Sequence, residues 1–115
     1  MSNRQPVIAV VGPCAAGKTT LISGLSAHGY PARHVAQEHS FVPDMWKRMV
    51  DPDFLIYLDV SYHVSNQRSG YQVKKSIFQK EADRLQHARE HADLVINTDE
   101  LSPNEVLDLV LKVLK

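Results

Sequence analysis

The sequence predicts a three-layer α/β fold in which a small parallel sheet of about four strands is flanked by helices. Short apolar runs alternate along the chain with longer segments of helical pattern, an order typical of parallel strands joined by helices. The apolar runs are continuous rather than alternating, as expected for strands buried on both faces. No repeat, low-complexity tract or linker divides the 115 residues, so we expect one domain, residues 1–115.

Four segments have the composition of strands. They are residues 7–11, 32–37, 54–60 and 93–97. The first lies between Pro6 and Gly12 and consists only of small and branched apolar residues, which suits the centre of a sheet. The polar residues 2–5 that precede it are expected to be frayed.

Helices are predicted in the intervals between the strands. They cover residues 18–28, a short segment near 44–49, 61–68, 74–91 and a final stretch that begins after residue 102. Gly29 is placed to end the first helix. Ser102 and Glu105 have the spacing of a capping box at the start of the last helix, and Pro103 fits its first position.

Composition excludes several classes of partner. Thirteen basic residues balance thirteen acidic ones, so no overall positive field attracts nucleic acid or anionic lipid. The apolar runs are too short for a signal peptide or a membrane span. Cys14 is the single cysteine and cannot form an intramolecular disulfide. We therefore expect a cytoplasmic protein with no membrane or nucleic-acid partner.

Residues 12–19, Gly-Pro-Cys-Ala-Ala-Gly-Lys-Thr, match the Walker A phosphate-loop pattern in its required position between a strand and a helix. Glycines allow consecutive N–H groups to face one anion, and the helix that follows adds its positive end. Lys18 is expected to reach the β- and γ-phosphates, and the Thr19 hydroxyl to bind Mg²⁺. The predicted nucleotide-binding residues are Gly12, Pro13, Cys14, Ala15, Ala16, Gly17, Lys18, Thr19 and Thr20. The expected ligands are Mg²⁺ and ATP or another nucleoside triphosphate. ATP is favoured because the chain has no Asn-Lys-x-Asp motif for guanine.

A family resemblance extends over most of the chain. The phosphate loop, a later strand that ends Leu58-Asp59-Val60-Ser61, and a helix that ends at Arg68 together resemble the nucleoside monophosphate kinase group of P-loop proteins. That group includes adenylate, shikimate and dephospho-coenzyme A kinases. Residues 84–99 are similar to its last section. The resemblance implies that Arg68 flanks the lid and contacts adenine or phosphate, and that residues 98–103 lie against the base. This chain departs from the group in its short lid, residues 69–73, and in nearly lacking the acceptor-binding helices.

Several charged residues are candidates to support the chemistry. Glu38 follows the second strand, where open α/β sheets bind ligands; it either holds a magnesium-bound water or acts as a base, or it is a carboxylate of a surface loop. Asp59 ends the third strand and is either a magnesium contact or a helix cap. Asp44, Lys74 and Lys75 are weaker candidates, with a surface role as the alternative. The predicted catalytic residues are therefore Lys18, Glu38 and Arg68, and the predicted metal ligands are Thr19, Glu38 and Asp59.

Other features have simpler interpretations. His87 and His91 belong to an inverted zinc-protease pattern, but no third ligand is apparent, so we interpret the segment as a charged helix. Trp46 and Phe41 form either an apolar wall for a ligand or partner, or, as we favour, a cover for the sheet. Cys14 is either a reactive thiol, with a pKa lowered by the loop N–H groups, or, as we favour, a small residue that fits.

Two functions remain open from the sequence. The first is an enzyme that binds Mg²⁺ and ATP and transfers the γ-phosphoryl group to an unidentified small molecule, or hydrolyses it slowly. Because a kinase needs a lid to exclude water, the short lid favours hydrolysis, an acceptor from another subunit, or no turnover. The alternative is a nucleotide-binding or sensing module without catalysis, which acts through a partner or as a homodimer.

Overall fold

The computed structural model describes residues 5–70 and 72–115. Residues 2–4 of the predicted frayed start and Tyr71 of the predicted lid lie outside the described residues. The strands are β1 (Ile8–Val11), β2 (Ala32–His34), β3 (Phe54–Asp59) and β4 (Leu94–Asn97). The helices are α1 (Lys18–Ala27), α2 (Met45–Met49), α3 (Tyr62–Ser69), α4 (Lys75–His91) and α5 (Pro103–Leu114), with a 3₁₀ turn at Gln37–His39. The predicted fold class, a parallel four-stranded sheet flanked by helices, is confirmed.

All strands of the sheet are parallel, in the order β2-β1-β3-β4. Ile8 of β1 pairs with Ala32 of β2 on one side and with Phe54 of β3 on the other. The chain leaves β1 toward β2 and leaves β3 toward β4, in opposite directions. In open α/β sheets the crevice at such a change of direction is where ligands bind, at the carboxyl ends of the strands. This point is the end of β1, where residues 12–19 begin.

Helices cover both faces of the sheet. Helices α1 and α5 pack on one face, over a core that includes Ile8, Val10, Leu21, Leu25, Ile56, Leu58, Val106 and Val110. On the other face α2 and α4 cover a second core, which includes Ala9, Val11, Tyr57, Trp46, Leu85 and Ala88. Trp46 thus covers the sheet, as favoured from the sequence, whereas Phe41 is 85% exposed. None of the helices within the described ranges has the length and hydrophobicity to span a membrane.

Strand β2 is shorter than the predicted 32–37, because the chain turns after His34. The amide of Val35 still bonds to the Val10 carbonyl at 3.3 Å. Beyond it, the Gln37 side chain is fully buried, donates to the Val42 carbonyl at 2.8 Å and accepts from the Trp46 amide at 2.9 Å. These bonds join the Gln37 side chain to the backbone of residues 42 and 46, and the 3₁₀ turn that contains Gln37 places Glu38 beside Lys18.

Candidate functional site

The backbone of residues 12–19 forms a turn between β1 and the start of α1, and a cavity borders residues 14–19 of this turn. Ala15 and Gly17 have positive φ angles of 64° and 99°. A Cβ atom at Gly12 would overlap the backbone carbonyl oxygen of Leu58, so only glycine fits there. Helix α1 begins without a side-chain cap and without an acidic residue in its first turn. The positive end of the helix therefore faces this cavity uncompensated.

Five backbone amides in this turn and at the start of α1 have no acceptor among the described residues. Within residues 5–70 and 72–115, the structure gives no hydrogen bond from the backbone N–H groups of Ala15, Gly17, Lys18, Thr19 and Thr20. Helix starts commonly leave such donors to side-chain caps, water or a bound anion. With the cap absent, the arrangement can accept an anionic ligand.

Lys18 lies inside the turn rather than extending into solvent. Its ammonium donates to the carbonyl of Gly12, to the carbonyl of Pro13 at 3.3 Å and to Glu38 Oε2 at 2.6 Å. The lysine is 8% exposed and the glutamate 3%. A buried ion pair at this distance fixes both side chains at the carboxyl end of the sheet, so two of the predicted catalytic residues are brought together.

The second carboxylate oxygen of Glu38 makes no hydrogen bond, unlike the other buried polar side-chain atoms of the described residues. Glu38 Oε1 is buried and is the one side-chain polar atom of this kind that lacks a partner among the described residues. Buried acceptors in folded proteins are almost always bonded to protein, water or an ion. The position of Glu38 is secured through its backbone, since its carbonyl accepts from Arg84 Nη1 at 3.3 Å. This oxygen is therefore available to a ligand.

Two adjoining cavities lie beside the turn and share Ala15, Ala16, Gly17 and Thr20. One, of about 300 Å³, is lined by residues 14–20 and Glu38 and is called the polar cavity here because it contains the charged side chains of Lys18 and Glu38. The other, of about 260 Å³, has apolar walls formed by Leu21, Leu101, Pro103 and Val106, with Arg68 and Thr98 at its polar side. Thr19 and Thr20 are exposed, and their hydroxyls border the polar cavity.

Arg68, near the end of α3, connects the 12–19 turn to Thr98, the residue that follows β4. Its Nη1 donates to the Ala15 carbonyl at 3.1 Å and to Thr98 Oγ1 at 3.0 Å, and its Nη2 donates to the Thr98 carbonyl. Thr98 is 2% exposed, and its hydroxyl also lies 3.3 Å from the Ala16 carbonyl. The guanidinium therefore holds the 12–19 turn against the end of β4 while it lines the apolar cavity.

Three side chains at the site were not predicted from the sequence. Glu81 of α4 accepts from the Cys14 amide at 3.4 Å, Ser65 of α3 donates to the Cys14 carbonyl at 3.1 Å, and Thr98 was expected to contribute backbone only. Glu81 did carry a signal. It lies on the buried stripe of α4 with Leu85 and Ala88, at the i, i+4 and i+7 spacing, and an acid on such a stripe indicates a polar neighbour.

Other predicted candidates lie away from the two cavities. The Asp59 carboxylate accepts from the Val60 amide at 3.0 Å and lies 3.7 Å from Arg89. Asp44 pairs with Arg48 at 2.9 Å on the surface. Lys74 and Lys75 are exposed at the start of α4. None of these four residues lines either cavity.

The surroundings of Cys14 are the reverse of those expected for a reactive thiolate. Cys14 is exposed as a residue, but partial desolvation of its thiol raises the pKa, and the carboxylates of Glu81 and Glu38 raise it further. The nearby Lys18 ammonium lowers it by less. This direction does not support the less favoured alternative of a reactive thiol with a lowered pKa, because desolvation acts first and two carboxylates add to it.

The His87–His91 pair is a packing feature. The two rings stack with centroids 4.2 Å apart, and the Trp46 indole N–H donates to His87 Nδ1 at 3.1 Å. Among the described residues, the one group of three side chains close enough to share a metal ion is Cys14, Glu38 and His39.

No protein-family model matches the chain, and no curated protein matches it. The functional interpretation therefore depends on the residues of the site themselves.

Proposed function

We propose that the chain binds ATP, as its Mg²⁺ complex, in the two cavities beside the 12–19 turn. The observation that carries the proposal is the set of backbone amides without acceptors at the uncapped start of α1. They converge on a cavity that also contains the buried Lys18 ammonium. Amides and a cation so arranged favour a polyphosphate over a neutral ligand.

The same cavity contains negative charge, which makes the metal necessary. Glu38 is buried beside Lys18, and Glu81 contacts the Cys14 amide. A free triphosphate would add further negative charge close to both carboxylates. Mg²⁺ offsets the charge of the phosphates when it is bound, and the Thr19 hydroxyl and Glu38 Oε1 are oxygen ligands of the kind it accepts, directly or through water.

The apolar cavity suits the planar base. Its walls of Leu101, Pro103 and Val106 adjoin Thr20 and the polar cavity, as expected when one ligand spans both spaces. Sites for small molecules combine apolar walls with a few polar groups that fix orientation. Here Arg68 and Thr98 supply those groups. This arrangement supports the expected position of residues 98–103 against the base.

For phosphoryl transfer or slow hydrolysis, the proposal requires an exchange of partners at Lys18. The ammonium has three N–H groups, and in the free protein they face Gly12, Pro13 and Glu38. A γ-phosphate that takes over the third N–H would release the Glu38 carboxylate, which then orients water or the acceptor hydroxyl. Lys18 and Arg68 would offset the charge that develops on the transferred group.

A second candidate function, ATP binding without turnover, is favoured by the way two predicted catalytic residues are engaged. Arg68 is bonded to Ala15 and Thr98, and Glu38 is paired with Lys18. Both side chains therefore stabilise the turn. In this case the chain is a sensing or interaction module whose partner or second copy reads the bound nucleotide.

Phosphate release from Mg²⁺·ATP, with and without a panel of small hydroxyl acceptors, separates the two candidates. For an enzyme, Glu38→Gln should lower the turnover of bound Mg²⁺·ATP by roughly 100-fold at saturating nucleotide, as loss of a general base does. Asp44→Asn is the matched control, because Asp44 is an acid that lines neither cavity. ATP binding without phosphate release from the wild-type chain would select the module, and absence of binding would reject both.

A further inference from the structure

Three potential metal ligands of different chemistry lie together at the outer side of the 12–19 turn, and Glu81 adjoins them through its contact with Cys14. Cys14 Sγ lies 4.0 Å from His39 Nε2 and 3.8 Å from Glu81 Oε2. One ligand atom from each of Cys14, Glu38 and His39 lies within 4.8 Å of the other two. The four residues belong to three separate parts of the fold: the turn after β1, the 3₁₀ turn after β2, and α4.

We propose that Cys14, Glu38 and His39 bind a divalent transition-metal ion of the zinc type, with Glu81 as the fourth ligand. Zinc accepts thiolate sulfur, imidazole nitrogen and carboxylate oxygen together in a tetrahedral site. Magnesium and calcium prefer oxygen ligands alone. The site differs in chemistry from the proposed magnesium position at Thr19, with which it shares Glu38, and it does not require a nucleotide.

An independent observation points to a ligand at this cluster. Glu38 is 3% exposed, its Oε1 atom has no partner among the described residues, and its side chain lines the same cavity as Cys14. A buried carboxylate oxygen without a partner is unfavourable. The ammonium of Lys18 pairs with the Glu38 carboxylate, whereas the Arg84 guanidinium contacts the Glu38 backbone carbonyl rather than its carboxylate. The Glu81 carboxylate adds a further negative charge. A divalent cation would both satisfy the oxygen and offset the excess charge.

The two distances from the Cys14 sulfur require only a small contraction. The Glu81 carboxylate must also approach Glu38 and His39, since it lies outside their 4.8 Å group. Bond lengths of about 2.0–2.3 Å in a tetrahedral zinc site place ligand atoms roughly 3.3–3.8 Å apart. The separation between Cys14 and Glu81 already has this value, and that between Cys14 and His39 is slightly larger. Cys14 and His39 are exposed, so an ion can enter from solvent and both side chains can move to meet it.

Titration of the full, nucleotide-free chain with Co²⁺ tests the proposal. Because Cys14 is the single cysteine, a thiolate-to-cobalt charge-transfer band reports that residue alone. We expect this band with tetrahedral d–d absorption, saturation at one ion per chain, and displacement by Zn²⁺. Cys14→Ser should abolish the band. His39→Gln and Glu81→Gln should each weaken binding at least roughly tenfold, the lower limit for loss even of an outer-shell partner.

His91→Gln is the matched control, because His91 belongs to the only stacked histidine pair that the described residues contain. It should leave cobalt affinity unchanged. Circular dichroism identifies any variant that fails to fold. Because Cys14 and His39 are exposed, their two variants should fold, and each tests the cobalt site independently. The proposal is overturned if no charge-transfer band develops at stoichiometric cobalt. It is equally overturned if His91→Gln removes binding that Cys14→Ser retains, or if the band requires two chains per ion.

Discussion

The contact between Lys18 and Glu38 combines a structural role with the proposed chemistry. Their charged atoms are 2.6 Å apart, with both side chains almost wholly buried. Each charge is tolerated in the interior because the other is present. The lysine in addition closes the turn by donating to the carbonyls of Gly12 and Pro13. Removal of the ammonium therefore affects folding as well as binding.

We predict that Lys18→Ala lowers the free energy of unfolding by about 3–5 kcal/mol, the usual cost of leaving one member of a buried ion pair uncompensated. The double variant Lys18→Met with Glu38→Gln should recover most of this loss, because it removes both charges. Urea denaturation measures both. Arg48→Ala, which breaks the exposed pair with Asp44, serves as control and should have little effect. Equal losses for Lys18→Ala and Arg48→Ala would contradict the buried pair.

At this scale the sequence predicts residues whose positions are set by local structure. The Walker A spacing identified Lys18 and the glycines, and the end of a strand identified Glu38. Glu81 was not identified, because its contact with Cys14 spans 67 residues and depends on where α4 crosses the sheet. The carboxylates that raise the pKa of the Cys14 thiol were missed for the same reason. Local amides were considered, but the acids come from tertiary structure.

Among the elements, the passage from β1 through the turn to α1 requires the closest backbone approach at the site. Gly12 lies against the Leu58 carbonyl of β3, the neighbouring strand, with no room for a Cβ atom. Since the obstacle is a paired strand rather than a flexible side chain, it cannot move without breaking the sheet. The geometry of the turn and the spacing of β1 and β3 therefore depend on each other.

Gly12→Ala is predicted to destabilise the chain more than Gly29→Ala, and to abolish ATP binding. Gly29 also has a positive φ angle, 84°, but an added Cβ atom there would meet nothing. Its replacement should cost about 1 kcal/mol from backbone strain alone and leave ATP binding unchanged. Thermal unfolding and nucleotide titration of the two variants make the comparison. The predicted constraint at Gly12 would be refuted by similar stabilities and similar affinities.

Most of the elements could be predicted because their signals are local. The continuous apolar runs identified β1, β3 and β4, and the Ser102–Glu105 capping box is formed as predicted, with Ser102 accepting from Glu105 and the reverse bond present. The predicted strand β2 was three residues longer than the strand in the structure. Its sequence does not reveal that Gln37 is buried and bonded to Val42 and Trp46, contacts that replace strand pairing with a turn.

For the whole molecule, the sequence predicted a parallel sheet with helices on both faces but not the strand order. The order β2-β1-β3-β4 results from packing across both cores, which no local pattern encodes. It places the end of β1 beside the end of β3, at the change of direction where open sheets bind ligands. The two cavities, the uncapped start of α1 and the buried charges all meet at this point.

The central claim, that this point binds ATP with Mg²⁺, is tested most directly by calorimetric titration. The full chain is titrated with ATP, GTP and their diphosphates, each with and without Mg²⁺. We predict saturable binding of one ATP per chain that requires Mg²⁺, weaker binding of ADP and GTP, and loss of ATP binding in the double variant Lys18→Met with Glu38→Gln. No heat of binding with Mg²⁺·ATP, or equal affinity in that folded double variant, would contradict the claim.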